Sequence, residues 1–325
     1  MSFFSKNLLA AIALATGLGT AQAQSVWHLP SAYPGDNLHG QGLALFARRV
    51  EEGTEGKIKI NLHPSASLFK APEIKRAVQT GQAQVGEVLM SIHENENPIF
   101  GVDGLPFLAT SYEEVDRLWT YARPEVEKAL AAQGLTLLYS VPWPPQGLYT
   151  KQPVNSVADL KGSKWRAYNA ITARLASAIE AQPITVQAAE LPQAFATGVI
   201  NSAMMSAQTG YDSRIWESIK YFYDVQAWMP RNIVFINTAV FERLDPETQK
   251  IVRDAAAEAE ALALELSKES AIRFPQEFRN KGMEVPEVPE VLTDGLRAIG
   301  QQIAEEWREK AGTVGSSVLD GYAAQ

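Results

Sequence analysis

The sequence predicts an α/β protein built as two lobes. Three observations carry that expectation. Strand-like and helix-like stretches alternate along the chain, which argues for a sheet with helices on both faces. The chain has 325 residues, enough for two cores. A short pattern, E-x-x-x-A-x-x-T-G, occurs twice, at Glu73, Ala77, Thr80 and Gly81 and again at Glu190, Ala194, Thr197 and Gly198. Each copy sits between a strand-like stretch and a short apolar one, as a repeated helix-and-loop unit would. Chance recurrence of common residues is the competing explanation.

The first 23 residues read as a leader rather than as part of the fold. Lys6 supplies a positive charge, 8–17 is an apolar run too short to span a bilayer, and Ala21-Gln22-Ala23 fits a cleavage site. A secretory signal peptide, 1–23, is therefore expected to be cut before Gln24. Its bacterial style places the mature chain in the periplasm. The chain has no cysteine, so its core alone must hold it. The formal net charge of −8 argues against nucleic acid as a partner.

After the leader, 25–29 is a short strand and 31–37 a turn-rich loop. A helix is expected over 38–52, with Leu43, Phe46, Ala47 and Val50 on its apolar side and Gly53 and Gly56 at its end. The strict alternation of 57–62 is a strand. A helix near 72–80 and an apolar strand over 85–90 follow. Further on, Ser156 and Asp159 fit a capping box, and Gly162 supplies a left-handed stop. Residues 164–168, Lys-Trp-Arg-Ala-Tyr, read as a strand, with Asn169 capping the next helix. From Asp245 to about 280 runs a long charged helix, capped by Asp245 with Pro246 in its first turn and expected to be interrupted at Pro275. The last amphipathic helix is expected over 291–310.

Several stretches, in this order and spacing, carry a family resemblance. They are His39 with 46–51 (FARRVE), 54–58 (TEGKI), Glu73 with 77–81 (AVQTG), and 105–108 (LPFL). Then come 156–166 (SVADLKGSKWR), 198–201 (GVIN), and 236–237 ahead of 241–244 (FERL). The mature chain resembles the solute-binding subunit of tripartite ATP-independent periplasmic (TRAP) transporters, of the C4-dicarboxylate-binding type. The resemblance implies a two-lobed periplasmic solute-binding fold with a long helix linking the lobes. It implies lobe I over 24–149 plus about 229–260, and lobe II over 150–228 plus about 261–325. It implies a small organic acid as ligand and a TRAP-type membrane permease as partner. A monomer is expected, with the long helix as the surface a dimer would use.

Within the resemblance, the arginine of D-L-K-G-x-K-x-R, here Arg166, is implied to pair with the ligand carboxylate. A guanidinium fork suits that task better than an ammonium. Relatives often carry a further basic residue on the strand before the turn. Here the region reads 141–149, VPWPPQGLY, and Gln146 stands near the equivalent place. A monocarboxylate is thus expected over a dicarboxylate. Trp143, Phe107, Met204, Met205 and Trp228 fall where ligand-facing loops are implied, which suggests an apolar or aromatic ligand body; the methionines serve equally well as core. Asn237 is a ligand contact or a helix cap. Glu87 is a ligand contact or a solvated acid. Gln208 and Tyr211 are lesser candidates.

Other functions fit poorly. There is no cysteine nucleophile, no G-x-S-x-G and no phosphate loop, and His28, His39, His63 and His93 lack metal spacing. Neither an enzyme, a cofactor nor a metal is expected. A sensor-type binding protein presenting to a receptor would share the same fold and pocket.

Overall fold

The computed structural model of the chain describes residues 24–324. The expected leader lies outside them. The first lobe opens with β1 (Ser25–Pro30), α1 (Leu38–Gly53), β2 (Ile58–His63), α2 (Ala71–Gln79), β3 (Val85–Leu89), α3 (Tyr112–Ala131) and β4 (Leu135–Pro142). The chain then builds the second lobe from β5 (Gln146–Thr150), β6 (Lys164–Ala167), α4 (Ala170–Ala178), β7 (Gln182–Thr185), α5 (Leu191–Ala196), β8 (Ser202–Ser206), α6 (Ala207–Asp212) and β9 (Tyr221–Tyr223). It returns through β10 (Arg231–Asn237) and α7 (Thr238–Glu242) before two long helices, α8 (Pro246–Asn280) and α9 (Glu290–Ala323).

Local signals explain most of these elements. Asn37 caps α1 by accepting the Gly40 amide at 2.9 Å, and Leu43, Phe46, Ala47 and Val50 are buried as the helical spacing requires. On β2, Ile58 and Ile60 point inward while Lys59 is exposed. Asp159 closes the turn before β6, accepting the amides of Asn155 at 2.8 Å and Ser156 at 3.0 Å. Gly162 is left-handed, with φ +73°. Asn169 caps α4 by accepting the Thr172 amide at 2.8 Å.

The repeated sequence pattern is a repeated piece of structure. Glu73 accepts the Lys70 amide ahead of α2, and Glu190 accepts the Gln187 amide ahead of α5. The Thr80 hydroxyl donates back to the Arg76 carbonyl, and Thr197 does the same to Gln193. Gly81 and Gly198 are both left-handed, at φ +76° and +71°, and a strand follows each. The pattern thus encodes the start, stop and exit of one helix in each lobe.

The sheets are mixed. β1 pairs in parallel with β2, and β10 lies antiparallel between β3 and β4. The second lobe has a five-stranded sheet ordered β7-β6-β8-β5-β9, parallel between β6 and its two neighbours and antiparallel around β5. Two segments cross between the lobes side by side. The Trp143 amide donates to the Pro230 carbonyl at 2.8 Å, the Gln146 amide to Trp228 at 2.9 Å, and the Ala227 amide to Gln146 at 3.0 Å. These paired strands form the hinge.

Helix α8 is continuous over 35 residues. Its first half packs on α1, where a Cβ on Gly42 would stand 3.0 Å from that of Ala263. Further along, Ser270 donates to Gln208, and Phe274 stacks on Tyr211 at 4.3 Å. So α8 spans both lobes, as the resemblance implied. Pro275 was expected to interrupt it and does not. The helix passes through, leaving the Ala271 carbonyl without its i+4 donor. Pro275→Ala should therefore stabilise the protein by roughly 1–3 kcal/mol, read as a raised Tm in a thermal melt.

Helix α9 also runs past its expected end at 310, to Ala323, and breaks at Gly312 where φ is +62°. Its later turns lie on the first lobe: the Trp307 indole donates to the Pro98 carbonyl at 2.9 Å, and the Tyr322 hydroxyl to Leu108 at 3.0 Å. Beside Trp307, Glu306 accepts from Arg174 of α4 at 2.6 Å, so α9 touches both lobes. No helix among the described residues is long and apolar enough to cross a membrane.

Candidate ligand-binding site

Where the lobes meet at the hinge lies a small, partly open pocket. The first lobe contributes Tyr33, Leu89, Trp143 and Pro230, and the second Gln146, Arg166, Tyr168, Ala188, Met205 and Thr209. The lobes are closed upon it. Asn169 Nδ2 donates to Ser91 Oγ at 2.8 Å, Asn37 Nδ2 to Asp212 Oδ2 at 3.2 Å, and the Phe107 amide to the Ala227 carbonyl at 2.6 Å.

Arg166 dominates the site chemically. It is 5% exposed. Its Nε donates to the Val186 carbonyl at 3.1 Å, and Nη1 lies 3.7 Å from Met205 Sδ. The guanidinium sits over the Tyr168 ring at 4.7 Å. Among the described residues no carboxylate pairs with it. Arg231, the other buried arginine of the described residues, makes an instructive contrast. Its guanidinium bonds Asp116 at 2.6 Å and the Val115 carbonyl at 3.1 Å. A buried charge without a counter-charge costs several kcal/mol. Burial lowers the Arg166 pKa to about 10, so it stays cationic at neutral pH. The pocket is thus preset for an anion.

The first-lobe wall is aromatic. Trp143 packs edge-on against Tyr33 at 4.8 Å and lies 4.3 Å from the His39 ring. Its indole Nε1 donates to Asn232 Oδ1 at 2.7 Å. Asn232 Nδ2 in turn donates to Glu87, which also accepts from Ser31 Oγ at 2.6 Å. Burial pushes the Glu87 carboxyl up to about 7 and His39 down to about 3. Gln146 stands at the hinge; its Nε2 donates to the Pro144 carbonyl at 3.1 Å, and its Oε1 receives a long 3.4 Å bond from the Tyr168 hydroxyl.

Four expected site residues, Arg166, Trp143, Gln146 and Met205, do line this pocket. The others are placed elsewhere. Glu87 is buried behind the Trp143 wall, neither solvated nor facing the void. Trp228 is buried in the hinge, with its carbonyl accepting from Gln146. Phe107 turns away: its left-handed backbone (φ +59°) points the ring at Gly300 and Arg297 of α9. Asn237 caps α7, accepting the Val240 amide at 3.2 Å and donating to the Val78 carbonyl at 2.9 Å. Gln208 is held by Asp212 and Ser270, Tyr211 stacks in the second core, and Met204 is core. Asn237→Ala should cost about 0.5–2 kcal/mol of stability, the worth of a cap, while ligand affinity in a calorimetric titration stays unchanged.

The misplaced asparagine has a physical cause. Open parallel sheets hold ligands at the carboxyl ends of their strands. β10 is antiparallel to both neighbours, so its beginning, not its end, meets the ends of β3 and β4. Asn232 therefore stands by the pocket and Asn237 at the far side. Tyr168 was not among the expected site residues, though a signal for it exists. It lies two residues beyond Arg166, on the same face of an extended chain.

Two lobes, a paired hinge and an interlobe pocket with a charged anchor define a solute-binding protein by architecture. The chain belongs to the DctP family, bacterial extracellular solute-binding protein family 7, whose model matches residues 31–310. DctP6 of Bordetella pertussis, an extracytoplasmic solute receptor solved binding pyroglutamic acid, is 46% identical to it, with a TM-score of 0.91 over 93% of this chain and all of that one. DctP7 of the same organism, also solved binding pyroglutamic acid, is 41% identical, with a TM-score of 0.90 over 92% of this chain and 99% of that one. A marine metagenome TRAP solute-binding protein specific for pyroglutamate is 42% identical, with a TM-score of 0.91 over 93% of this chain and all of that one. The two-lobed fold with its long helix agrees with the expectation from sequence.

Proposed function

We propose that this chain is the extracytoplasmic receptor of a TRAP transporter and captures a compact monocarboxylate, with pyroglutamate the best-supported ligand. The buried Arg166, which lines the pocket and has no carboxylate partner among the described residues, carries the reading. The likeness to three pyroglutamate-binding receptors narrows the class. A small lactam acid offers one carboxylate, one N–H donor and one carbonyl acceptor. Arg166 would take the carboxylate. Gln146 Oε1 is an acceptor for the lactam N–H, and the Tyr168 hydroxyl a donor for its carbonyl. The apolar flanks of Trp143 and Met205 suit the ring. The pocket is small, which suits a compact ligand within the apolar or aromatic class that the sequence suggested.

Ligand would bridge the lobes and so favour the closed state, which the permease would read. The export that this role requires would rest on the leader at 1–23. A thermal-shift screen of the mature protein against small carboxylates tests the reading, because a ligand bound to the native state alone raises Tm. Pyroglutamate should give the largest shift. A larger shift from succinate, or from an aromatic acid, would reject the ligand assignment.

A further inference from the structure

We propose that Glu87 is a positioning residue for the ligand pocket: its carboxylate, acting through Asn232, fixes the Trp143 wall, so that neutralising Glu87 weakens binding. The inference rests on the monocarboxylate reading for its ligand but on independent geometry for its mechanism.

That geometry is a directed chain of bonds. Glu87 on β3 and Asn232 on β10 share one face of the first-lobe sheet, on neighbouring antiparallel strands. Glu87 accepts twice, from Ser31 Oγ at 2.6 Å and from Asn232 Nδ2. With its amide nitrogen so engaged, Asn232 must present Oδ1 to Trp143, whose indole N–H donates to it at 2.7 Å. Asparagine has one acceptor end and one donor end, so the carboxylate dictates which end meets the indole. The indole is a donor only. A proton on the Glu87 oxygen facing Asn232 would make that oxygen a donor. The amide would then flip, two donors would meet at Trp143, and the ring would lose its anchor.

The surroundings of Glu87 let it titrate. On α1, His39 Nδ1 is 3.6 Å away, but burial keeps that imidazole neutral. From β4 comes the Tyr139 phenol, and from the loop after β1 the Tyr33 phenol; burial and the Glu87 charge push both upward, so both stay neutral. Arg166 lines the ligand pocket with Tyr33, whereas Glu87 does not. No cation among the described residues pairs with Glu87, whose carboxyl is pushed up to about 7 by burial. The charged form, which both donors favour, is therefore lost as pH falls through about 7.

The test follows the indole N–H of Trp143 and the affinity together. The chain's seven tryptophans give few indole resonances, and Trp143→Phe assigns the one of interest. In the wild type without ligand, that resonance should shift with a midpoint near pH 7, and E87Q should abolish the midpoint. Calorimetric titration with L-pyroglutamate should show affinity about tenfold lower for E87Q at pH 8, and a similar fall in the wild type from pH 8 to pH 5.5. A Trp143 resonance that ignores pH, or E87Q binding as tightly as wild type, overturns the proposal. If pyroglutamate binds the wild type at no pH, the ligand assignment fails, while the indole titration still decides whether Glu87 fixes Trp143.

Discussion

Arg166→Ala should remove measurable ligand binding while leaving the fold intact. In the closed cleft the ligand carboxylate would lose the one cation that lines the pocket among the described residues, and stay buried. Truncating one member of such a pair costs roughly 2–5 kcal/mol, which is about 30-fold to a few thousand-fold in Kd. The unliganded protein should behave in the opposite way. Arg166 is buried with a carbonyl and a thioether sulfur as its hydrogen-bond partners and no counter-charge among the described residues. Replacing it with methionine should leave the ligand-free Tm unchanged or raise it, because a poorly compensated charge is removed. Arg166→Lys should recover only part of the affinity, since an ammonium cannot reproduce the planar fork. Equal binding by wild type and Arg166→Ala would show that the arginine is structural.

Gly40→Ala is expected to be the most damaging conservative change in the first lobe. A Cβ there would stand 2.5 Å from the carbonyl oxygens of both Pro34 and Gly35. Those are backbone atoms of the loop that carries Tyr33 to the pocket, so no side chain can swing aside. Overpacking typically costs about 1–3 kcal/mol, and a backbone obstacle places this case at the upper end. A Tm lower by roughly 5–10 °C follows for a chain of this size. Affinity should fall too, because Tyr33 packs against Trp143 in the pocket wall. Unaltered Tm and affinity would mean that the loop from Ser31 to Asn37 is free to move.

How far the sequence revealed this molecule depended on the range of the interaction concerned. Caps and stops act within a few residues, so Asp159, Gly162, Asn169 and Asp245 could be placed from their neighbours alone. The twofold E-x-x-x-A-x-x-T-G pattern is local for the same reason. Arg166 was found through the motif around it, and its position near the end of β6 agreed. The partners that make up the rest of the pocket meet only across the fold. Tyr33 and Trp143 are far apart in the chain, and β10 joins its sheet from a distant segment, reversed. That reversal exchanged Asn237 for Asn232. Phe107 misled because one left-handed residue redirects a side chain that a linear reading keeps in its loop. Pro275 misled because tertiary packing of Phe274 and Phe278 carries α8 through a residue that disfavours helix.

The most direct measurement is a pair of calorimetric titrations of the wild-type protein, one with L-pyroglutamate and one with its amide, in which the carboxylate is replaced by a neutral group of similar size. If Arg166 awaits a carboxylate, the acid binds and the amide shows no detectable heat at the same concentrations. Comparable affinity for the two would contradict the account, since the lactam ring alone would then carry recognition and the buried guanidinium would have another purpose.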